Sequence, residues 1–413
     1  MTTKQYISLD ILNVSINFDE DVIPVGRLAY KNRRIYFEYD RDFLDRKLPI
    51  SPFMLPLKSG LHEGQPELFE GLPGVFNDSL PDGWGRLLLD RLLRSKGYQS
   101  GDFTPLDRLA YIGAHGMGAL VYEPDYSQSS YDTLINLDAL AQASQQVLEG
   151  ESSEVLEELL RLGGSSAGAR PKATIGLSTD KRKIIEGTMD LDKDYEPWIV
   201  KFANSMDGAD AGAIEYVYSQ MARMAGIDMP ETHLFPAREG AGYFATKRFD
   251  RDTNGKRLHM HTACGLLHSD FRTPSLDYED LIKVTMTLTR DIRAAQAMYR
   301  LAVFNVLSYN RDDHSKNFSF LMDKNDTWTL SPAYDLTFSS GPRGEQSTMV
   351  AGEGKNPTKE HLLKLVPHAD LKPKQANEII DQVHQALSHW SDLAKDAGVT
   401  SENINLIESR FKE

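Results

Sequence analysis

Asn310-Arg311-Asp312-Asp313-His314-Ser315-Lys316-Asn317 sets eight polar residues between a long helical stretch, 291–308, and a segment patterned as a β-hairpin, Phe318–Met322 and Trp328–Leu330. Such a run is poor helix or strand material and predicts a loop held by rigid elements, where reactive side chains tend to sit. Asp312 and Asn317 stand five apart, the Asp-x-x-x-x-Asn spacing of a phosphotransferase catalytic loop. That chemistry needs a carboxylate to orient a hydroxyl and accept its proton, and a carboxamide oxygen nearby to coordinate Mg²⁺. Asp335 follows 18 residues after Asn317, at the end of Ser331-Pro-Ala-Tyr-Asp335. From there a carboxylate can return to the loop and bridge Mg²⁺ to phosphates. A lone loop aspartate most often caps or turns the chain. Three acids with His314, Lys316 and Asn317 in one arrangement point to a site instead, with His314 expected to orient the loop from behind.

Working back along the chain, Pro197-Trp-Ile-Val-Lys201-Phe202 reads as a strand with one lysine among apolar residues. Alternation places Lys201 opposite Trp198, Val200 and Phe202, as expected of a phosphate-contacting lysine. Glu215, 14 residues on in a helix over 212–225, is its expected acidic partner. Earlier still, Gly163-Gly-Ser-Ser-Ala-Gly-Ala-Arg-Pro-Lys172 precedes another strand. Its small residues let backbone N–H groups approach phosphate, and Arg170 and Lys172 add positive charge. Gly168 is followed by Ala169-Arg170 rather than Lys-Ser/Thr, so a Walker P-loop is disfavoured.

Period-two patterning predicts strands over 6–18 and a hairpin over 27–40 turning at Lys31-Asn32. Helices are predicted over 82–96, 106–112 and 153–162, the last ending at Gly163-Gly164. Further strands are predicted over 173–177, 183–186, 198–202 and 243–249. The final third reads as mostly helical, over 278–287, 291–308 and 374–395, with the hairpin as its one β interruption. The polar stretch 125–131 reads as a linker.

These segments resemble the HipA family of bacterial serine/threonine kinases, the toxins of toxin–antitoxin modules. The likeness rests on the glycine-rich stretch, the Lys201 strand, Thr246-Lys-Arg-Phe-Asp-Arg251, Asp312-Asp-His-Ser-Lys-Asn-Phe-Ser319 and Pro332-Ala-Tyr-Asp335. Leu80-Pro-Asp-Gly-Trp-Gly-Arg86 and Tyr111-Ile-Gly-Ala-His-Gly-Met-Gly-Ala-Leu120 have the look of the family's N-terminal subdomain. The resemblance implies an α+β, bilobal protein-kinase-like fold. Residues 1–130 would form an extra N-terminal β-rich subdomain, 131–250 an N-lobe with the glycine-rich loop, and 251–413 a mostly helical C-lobe with the catalytic loop.

It further implies Asp312 as catalytic base, Asn317 and Asp335 as Mg²⁺ ligands and Lys201 as the phosphate-binding lysine, with His314 alongside in the catalytic set. ATP would be contacted by Ser166, Ala167, Gly168, Ala169, Lys172, Lys201, Asp312, His314, Lys316, Asn317 and Asp335. Its adenine would meet the Lys247–Phe249 hinge. A loop serine, Ser165 or alternatively Ser166, would be autophosphorylated, placing a dianion where ATP phosphates belong. Implied partners are a protein substrate such as glutamyl-tRNA synthetase or another translation component, and a small helix-turn-helix antitoxin, with DNA met only through that antitoxin. The sequence departs from the family pattern at Arg170-Pro171-Lys172, where a Gln-Glu-Lys type run is usual, and at Asp313, where a glycine is frequent.

Two other readings compete. One is a catalytically weak kinase-fold binding module acting as corepressor with an antitoxin; the intact set Lys201, Asp312, Asn317 and Asp335 speaks against it. The other, a metal-dependent hydrolase built on Asp312, His314 and Asp335, lacks a second clear histidine ligand.

The composition is that of an acidic globular protein. The 413 residues carry 46 basic and 60 acidic side chains, a formal charge of −14 that argues against a broad nucleic-acid surface. That length allows two to three domains at roughly 100–200 residues each. One cysteine, Cys264, excludes an internal disulfide and suits a reducing cytoplasm. The start Met-Thr-Thr-Lys-Gln-Tyr-Ile-Ser-Leu-Asp has no apolar signal core, and no run reaches the roughly 18 apolar residues of a membrane span. The expectation is a cytoplasmic protein without membrane contact.

Overall fold

The computed structural model describes residues 8–127, 134–150, 156–163, 168–187, 191–204 and 208–411. The chain opens with β1 (Ile11–Asn17), β2 (Val22–Lys31) and β3 (Arg34–Tyr39). Asn32 and Arg33 both take positive φ, 54° and 62°, giving the two-residue turn whose twist suits a hairpin. After a short helix, α1 (Arg41–Arg46), β4 (Leu61–Glu63) joins one edge; β5 (Leu120–Glu123) joins the other, giving the antiparallel order β4-β3-β2-β1-β5. Leu12, Val14 and Ile16 alternate inward from β1, as their period-two spacing requires. Three helices, α2 (Gly74–Asn77), α3 (Gly83–Ser95) and α4 (Pro105–Ile112), lie between β4 and β5. Thr104 and Asp107 form a capping box at the start of α4, with Pro105 at its first position.

A second antiparallel sheet, β7-β6-β8-β10-β9, is built from β6 (Lys172–Ser178), β7 (Ile184–Glu186), β8 (Tyr195–Lys201), β9 (Thr232–Phe235) and β10 (Tyr243–Lys247). Two helices precede it, α5 (Leu137–Glu149) and α6 (Leu156–Gly163). Their buried leucines and Val147, with Trp84 and Leu88 of α3, cover the sheet face that carries Ile175, Trp198 and Val200. α7 (Ala211–Met224) follows β8 and packs beside β9 and β10. Every residue of β6 is buried, with Ala173, Ile175 and Leu177 on its apolar face and Lys172, Thr174 and Ser178 on the other.

A third sheet, β11-β12-β13, pairs β11 (His259–Thr262) with β12 (Ser319–Met322) and β12 with β13 (Trp328–Leu330). The remaining helices are α8 (Ala263–Leu267), α9 (Tyr278–Thr289), α10 (Ile292–Leu307), α11 (Lys359–Lys364), α12 (Pro373–Leu387), α13 (Trp390–Asp396) and α14 (Ser401–Arg410). Apolar residues of α7, α9, α10 and α12–α14 form the largest core. The first sheet's core reaches across the chain to include Cys264, Leu266, Phe320, Met322 and Trp328.

Several features differ from the sequence expectation, the added C-terminal helix α14 among them. The single helix expected over 374–395 breaks between α12 and α13, where Trp390 turns inward and its indole N–H donates to the Ile404 carbonyl at 3.1 Å. α5 is an added helix, with Asn136 accepting from the Ala139 N–H and Gly150 left-handed past its end. β9 is an added strand at the edge of the second sheet, and β11 an added strand that turns the predicted hairpin into a three-stranded sheet. Ser165, Ser166, Ala167 and most of the 125–131 linker fall outside the described residues.

Candidate active site

Helix α10 ends at Ser308, and Tyr309 turns the chain out of it with φ +58°. Asp313 then anchors the following loop from within. Its carboxylate accepts from the Tyr278 hydroxyl (2.6 Å), the Gln346 amide (3.0 Å) and the backbone N–H groups of Ser347 (2.9 Å) and Thr348 (3.1 Å). Burial pushes its carboxyl up to about 7 against the pull of these donors. With Asp313 turned inward, its neighbour Asp312 faces a cleft of about 930 Å³, within the usual range of ligand pockets, about 300–1,000 Å³.

The cleft gathers residues from distant parts of the chain: Gly168, Ala169, Lys172, Lys201, Glu215, Phe249, Asp312, His314, Lys316, Asn317 and Asp335 all line it. Lys201 points from β8 away from the Trp198 face, and its ammonium pairs with Glu215 of α7 and with Asp335 at 2.5 Å. Its side chain is only 11% exposed, so this is no solvated surface lysine. Burial disfavours its charge, yet the two carboxylates more than offset that and hold it protonated. Arg170 reaches the other Glu215 oxygen at 3.5 Å.

Lys172 lies beneath Gly168: a Cβ there would meet the Lys172 Nζ at 2.3 Å. Burial first, then repulsion by Lys201, lowers its ammonium to about 8. Asp335 stands after β13 at φ +58°, a conformation that costs a non-glycine residue energy and recurs at functional sites. Burial pushes its carboxyl up, but Lys201 and Lys172 more than offset this and hold it well below the usual carboxylate range. Asp312 moves the opposite way: burial raises it and Asp335 adds to the rise, against His314 and Arg170.

Asn317 donates through its amide nitrogen to the Asp312 carbonyl at 2.8 Å, leaving its side-chain oxygen as the atom available to the cleft. Among the described residues no three acidic, histidine or cysteine side chains group closely enough to hold a metal alone. Asn317 and Asp335 both line the cleft, and their amide oxygen and carboxylate could serve a magnesium ion that takes the rest of its ligands from phosphate and water, as that ion usually does.

His314 lines the cleft with its ring 5.3 Å from that of Phe271, and its Nδ1 is buried with no hydrogen-bond partner among the described residues. Phe249 lines the cleft and packs 5.1 Å from the Tyr334 ring. The Lys247 side chain turns aside to Glu196 at 2.7 Å, and its N–H donates to the Glu231 carbonyl. Only Phe249 of that pair thus presents its side chain to the cavity.

Residues of the first third also reach the cleft. Asp82, just before α3, pairs with Lys316 at 2.8 Å and accepts the N–H of Gly168. Nothing in the sequence singles out Asp82, which stands at the start of the helix expected over 82–96. Arg248 and Asp250 turn away from the cleft, and Asp250 instead accepts the Gly118 N–H at 2.7 Å. Two motifs distant in sequence are thereby joined.

The chain is similar to known proteins over most of its length. The family model of the HipA-like C-terminal domain matches residues 164–390, and that of the HipA N-terminal domain matches residues 17–123. An inferred kinase of Sinorhizobium fredii, Y4dM, is 31% identical over 152 residues, covering 34% of this chain and 36% of that protein. The serine/threonine-protein kinase toxin HipA of Shewanella oneidensis is 23% identical over 339 residues, covering 76% of this chain and 72% of that one. The matched stretches span between 36% and 52% of three inferred kinases. A chain in the structure of the Shewanella oneidensis toxin–antitoxin complex of HipA, HipB and operator DNA superposes with a TM-score of 0.67 at 18% identity, covering 97% of this chain and 95% of that one. The α+β architecture, with its β-rich start and helical end, is thus the HipA fold. With one family model spanning more than half of its length and a second fitting the residues before it, this chain belongs to the HipA family.

Proposed function

We propose that this protein is an ATP- and Mg²⁺-dependent serine/threonine protein kinase of the HipA toxin type. The observation that carries the proposal is the convergence of Lys201, Asp312, Asn317 and Asp335 on one cleft, with Glu215 behind the lysine. Lys201 would contact the phosphates of ATP, and Gly168, Ala169 and Lys172 would cover them. The side chain of Phe249 would flank the adenine. A serine or threonine hydroxyl of the substrate attacks the γ-phosphorus and a new O–P bond forms. The bond to the bridging oxygen breaks with its electron pair passing to ADP, and the hydroxyl proton passes to Asp312. The upward shift of the Asp312 carboxyl suits a proton acceptor better than a strongly acidic group would. Asn317 and Asp335 would hold magnesium, whose charge neutralises the triphosphate when bound. His314 and Lys316 complete the proposed nucleotide contacts.

The finer reading includes a translation component, such as glutamyl-tRNA synthetase, as substrate. It also includes autophosphorylation at Ser165 or Ser166 and a small helix-turn-helix antitoxin as partner. The matched HipA–HipB–operator complex supports the antitoxin, and the −14 charge supports DNA contact through a basic partner only. Residues 1–130, 131–250 and 251–413 are proposed as N-terminal subdomain, N-lobe and C-lobe. The protein would act in the cytoplasm; among the described residues no helix is long and apolar enough to cross a membrane.

Incubation with Mg-ATP, alone and with cell lysate, followed by mass spectrometry, tests the reading. It should report phosphate on the glycine-rich loop and on a protein target. Asp312→Asn should lower transfer by about 10²–10⁴-fold while leaving ATP binding intact. Transfer by that variant at the parent rate would remove Asp312 from the role of base. Absence of phosphate on every protein would favour the corepressor reading instead.

A further inference from the structure

We infer that Asp82, contributed by the N-terminal part of the chain, is a positioning residue that fixes the glycine-rich loop and Lys316 around the phosphates of a bound nucleotide. The inference rests on the nucleotide-binding part of the function proposed above.

Asp82 occupies the N-cap position of α3, where an aspartate ordinarily accepts a bond from its own helix. Here it makes no such bond. One carboxylate oxygen accepts the Gly168 N–H, the other the Lys316 ammonium at 2.8 Å. The bond to the glycine-rich loop is returned, since the Trp84 N–H donates to the Gly168 carbonyl at 3.1 Å. Gly83, at φ +40°, allows the approach: a Cβ there would meet the Ala169 Cα at 2.5 Å. Lys316 is nearly buried, lies 5.0 Å from the Phe271 ring, and directly precedes the proposed magnesium ligand Asn317. Its carbonyl accepts the Tyr334 hydroxyl at 2.6 Å, next to Asp335. One buried carboxylate therefore ties together the glycine-rich loop, the catalytic loop and, through Lys316, the segment carrying Asp335.

The physical consequence is pre-organisation. A glycine such as Gly168 loses more backbone freedom on being fixed than any other residue. A fixed acceptor for Gly168 removes part of that loss before the ligand arrives. The same carboxylate compensates Lys316, whose charge would otherwise be buried alone.

The test measures affinity for Mg-ATP and for adenosine in the full chain, comparing parent, Asp82→Asn, Lys316→Met and the double variant. Asp82→Asn should weaken Mg-ATP about tenfold, the loss of one charge-assisted contact, and adenosine less than about twofold. In the Lys316→Met background the same change should cost Mg-ATP less than about threefold, because the two residues act as a unit. A merely structural Asp82 would weaken both ligands alike, and that result, or no change in either, overturns the inference. Hydrogen exchange over 168–172 should accelerate in Asp82→Asn without nucleotide, and unchanged exchange also overturns it. A parent that binds Mg-ATP but transfers no phosphate would overturn the kinase reading alone. A parent that binds no Mg-ATP would overturn both.

Discussion

Lys172 shows how burial turns a lysine into a group that titrates near neutrality. Its ammonium is lowered to about 8 by burial and by Lys201, against an unfolded value of about 10.4. The unfolded chain therefore binds more protons than the folded chain between those values. Burying this lysine costs stability below pH 8, and the cost fades as the pH rises toward about 10. Its charge is also lost on the folded protein as the pH passes 8. The expected outcome is a KM for Mg-ATP that rises above pH 8 in the parent. Lys172→Met should raise KM already at pH 7 and remove the further rise, which steady-state kinetics between pH 6.5 and about 9 would record. At this scale the sequence was informative. Lys201 opposite Trp198, Glu215 on the next helix and Asp335 after the hairpin all follow from spacing and alternation. Asp82 did not, since nothing local distinguishes a capping aspartate from one whose acceptors serve residues 86 and 234 positions away.

Among the elements, the connection after β10 works as a clamp rather than a free hinge. Asp250 is fully buried and accepts from Arg248 (2.9 and 2.7 Å), Arg251 (2.9 Å) and the Gly118 N–H. Arg248 and Arg257 donate in turn to the carbonyls of Gly116 and Ala114. Burial pushes Asp250 up, but the arginines hold it far below the usual carboxylate range. Asp250→Asn would take this counter-charge from the Arg248 and Arg251 guanidinium groups. A buried pair broken from one side costs about 3–5 kcal/mol, so the thermal midpoint should fall markedly, as calorimetry would show. The glycine-rich turn 113–118 should also lose protection from hydrogen exchange. Strand periodicity located β8 and β10 well. It missed β9 and β11, four residues each, because short strands are defined by the partner that completes their hydrogen bonds. α12 and α13 merged in the sequence because the residues between them remain helical in φ and ψ.

For the molecule as a whole, the N-terminal part is more than an appendage. Its sheet shares a core with Cys264, Leu266, Phe320, Met322 and Trp328, and α3 packs on the second sheet through Trp84 and Leu88. Asp78 adds a buried polar joint, accepting from the Thr262 N–H and hydroxyl, both at 2.7 Å, and pairing with His261 at 2.6 Å. A chain beginning at residue 131 would expose those apolar side chains and orphan Thr262 and Lys316. It should aggregate or unfold on expression, and a soluble, monomeric truncation with the parent's thermal midpoint would contradict this. By itself the sequence determined which residues to propose for the chemistry, because Asp312, Asn317, Asp335 and Lys201 stand in recognisable motifs, and all four line one cleft. It also determined the α+β class, because periodicity follows from the rise and turn of helix and strand. Only the tertiary structure decided that Asp313 turns inward while Asp312 faces the cleft, and that the N-terminal part supplies a wall of the site. It also decided that Asp250 serves the glycine-rich turn rather than a ligand. These outcomes depend on which buried charges and hydrogen-bonding groups meet across hundreds of residues of chain, and local sequence does not encode those meetings.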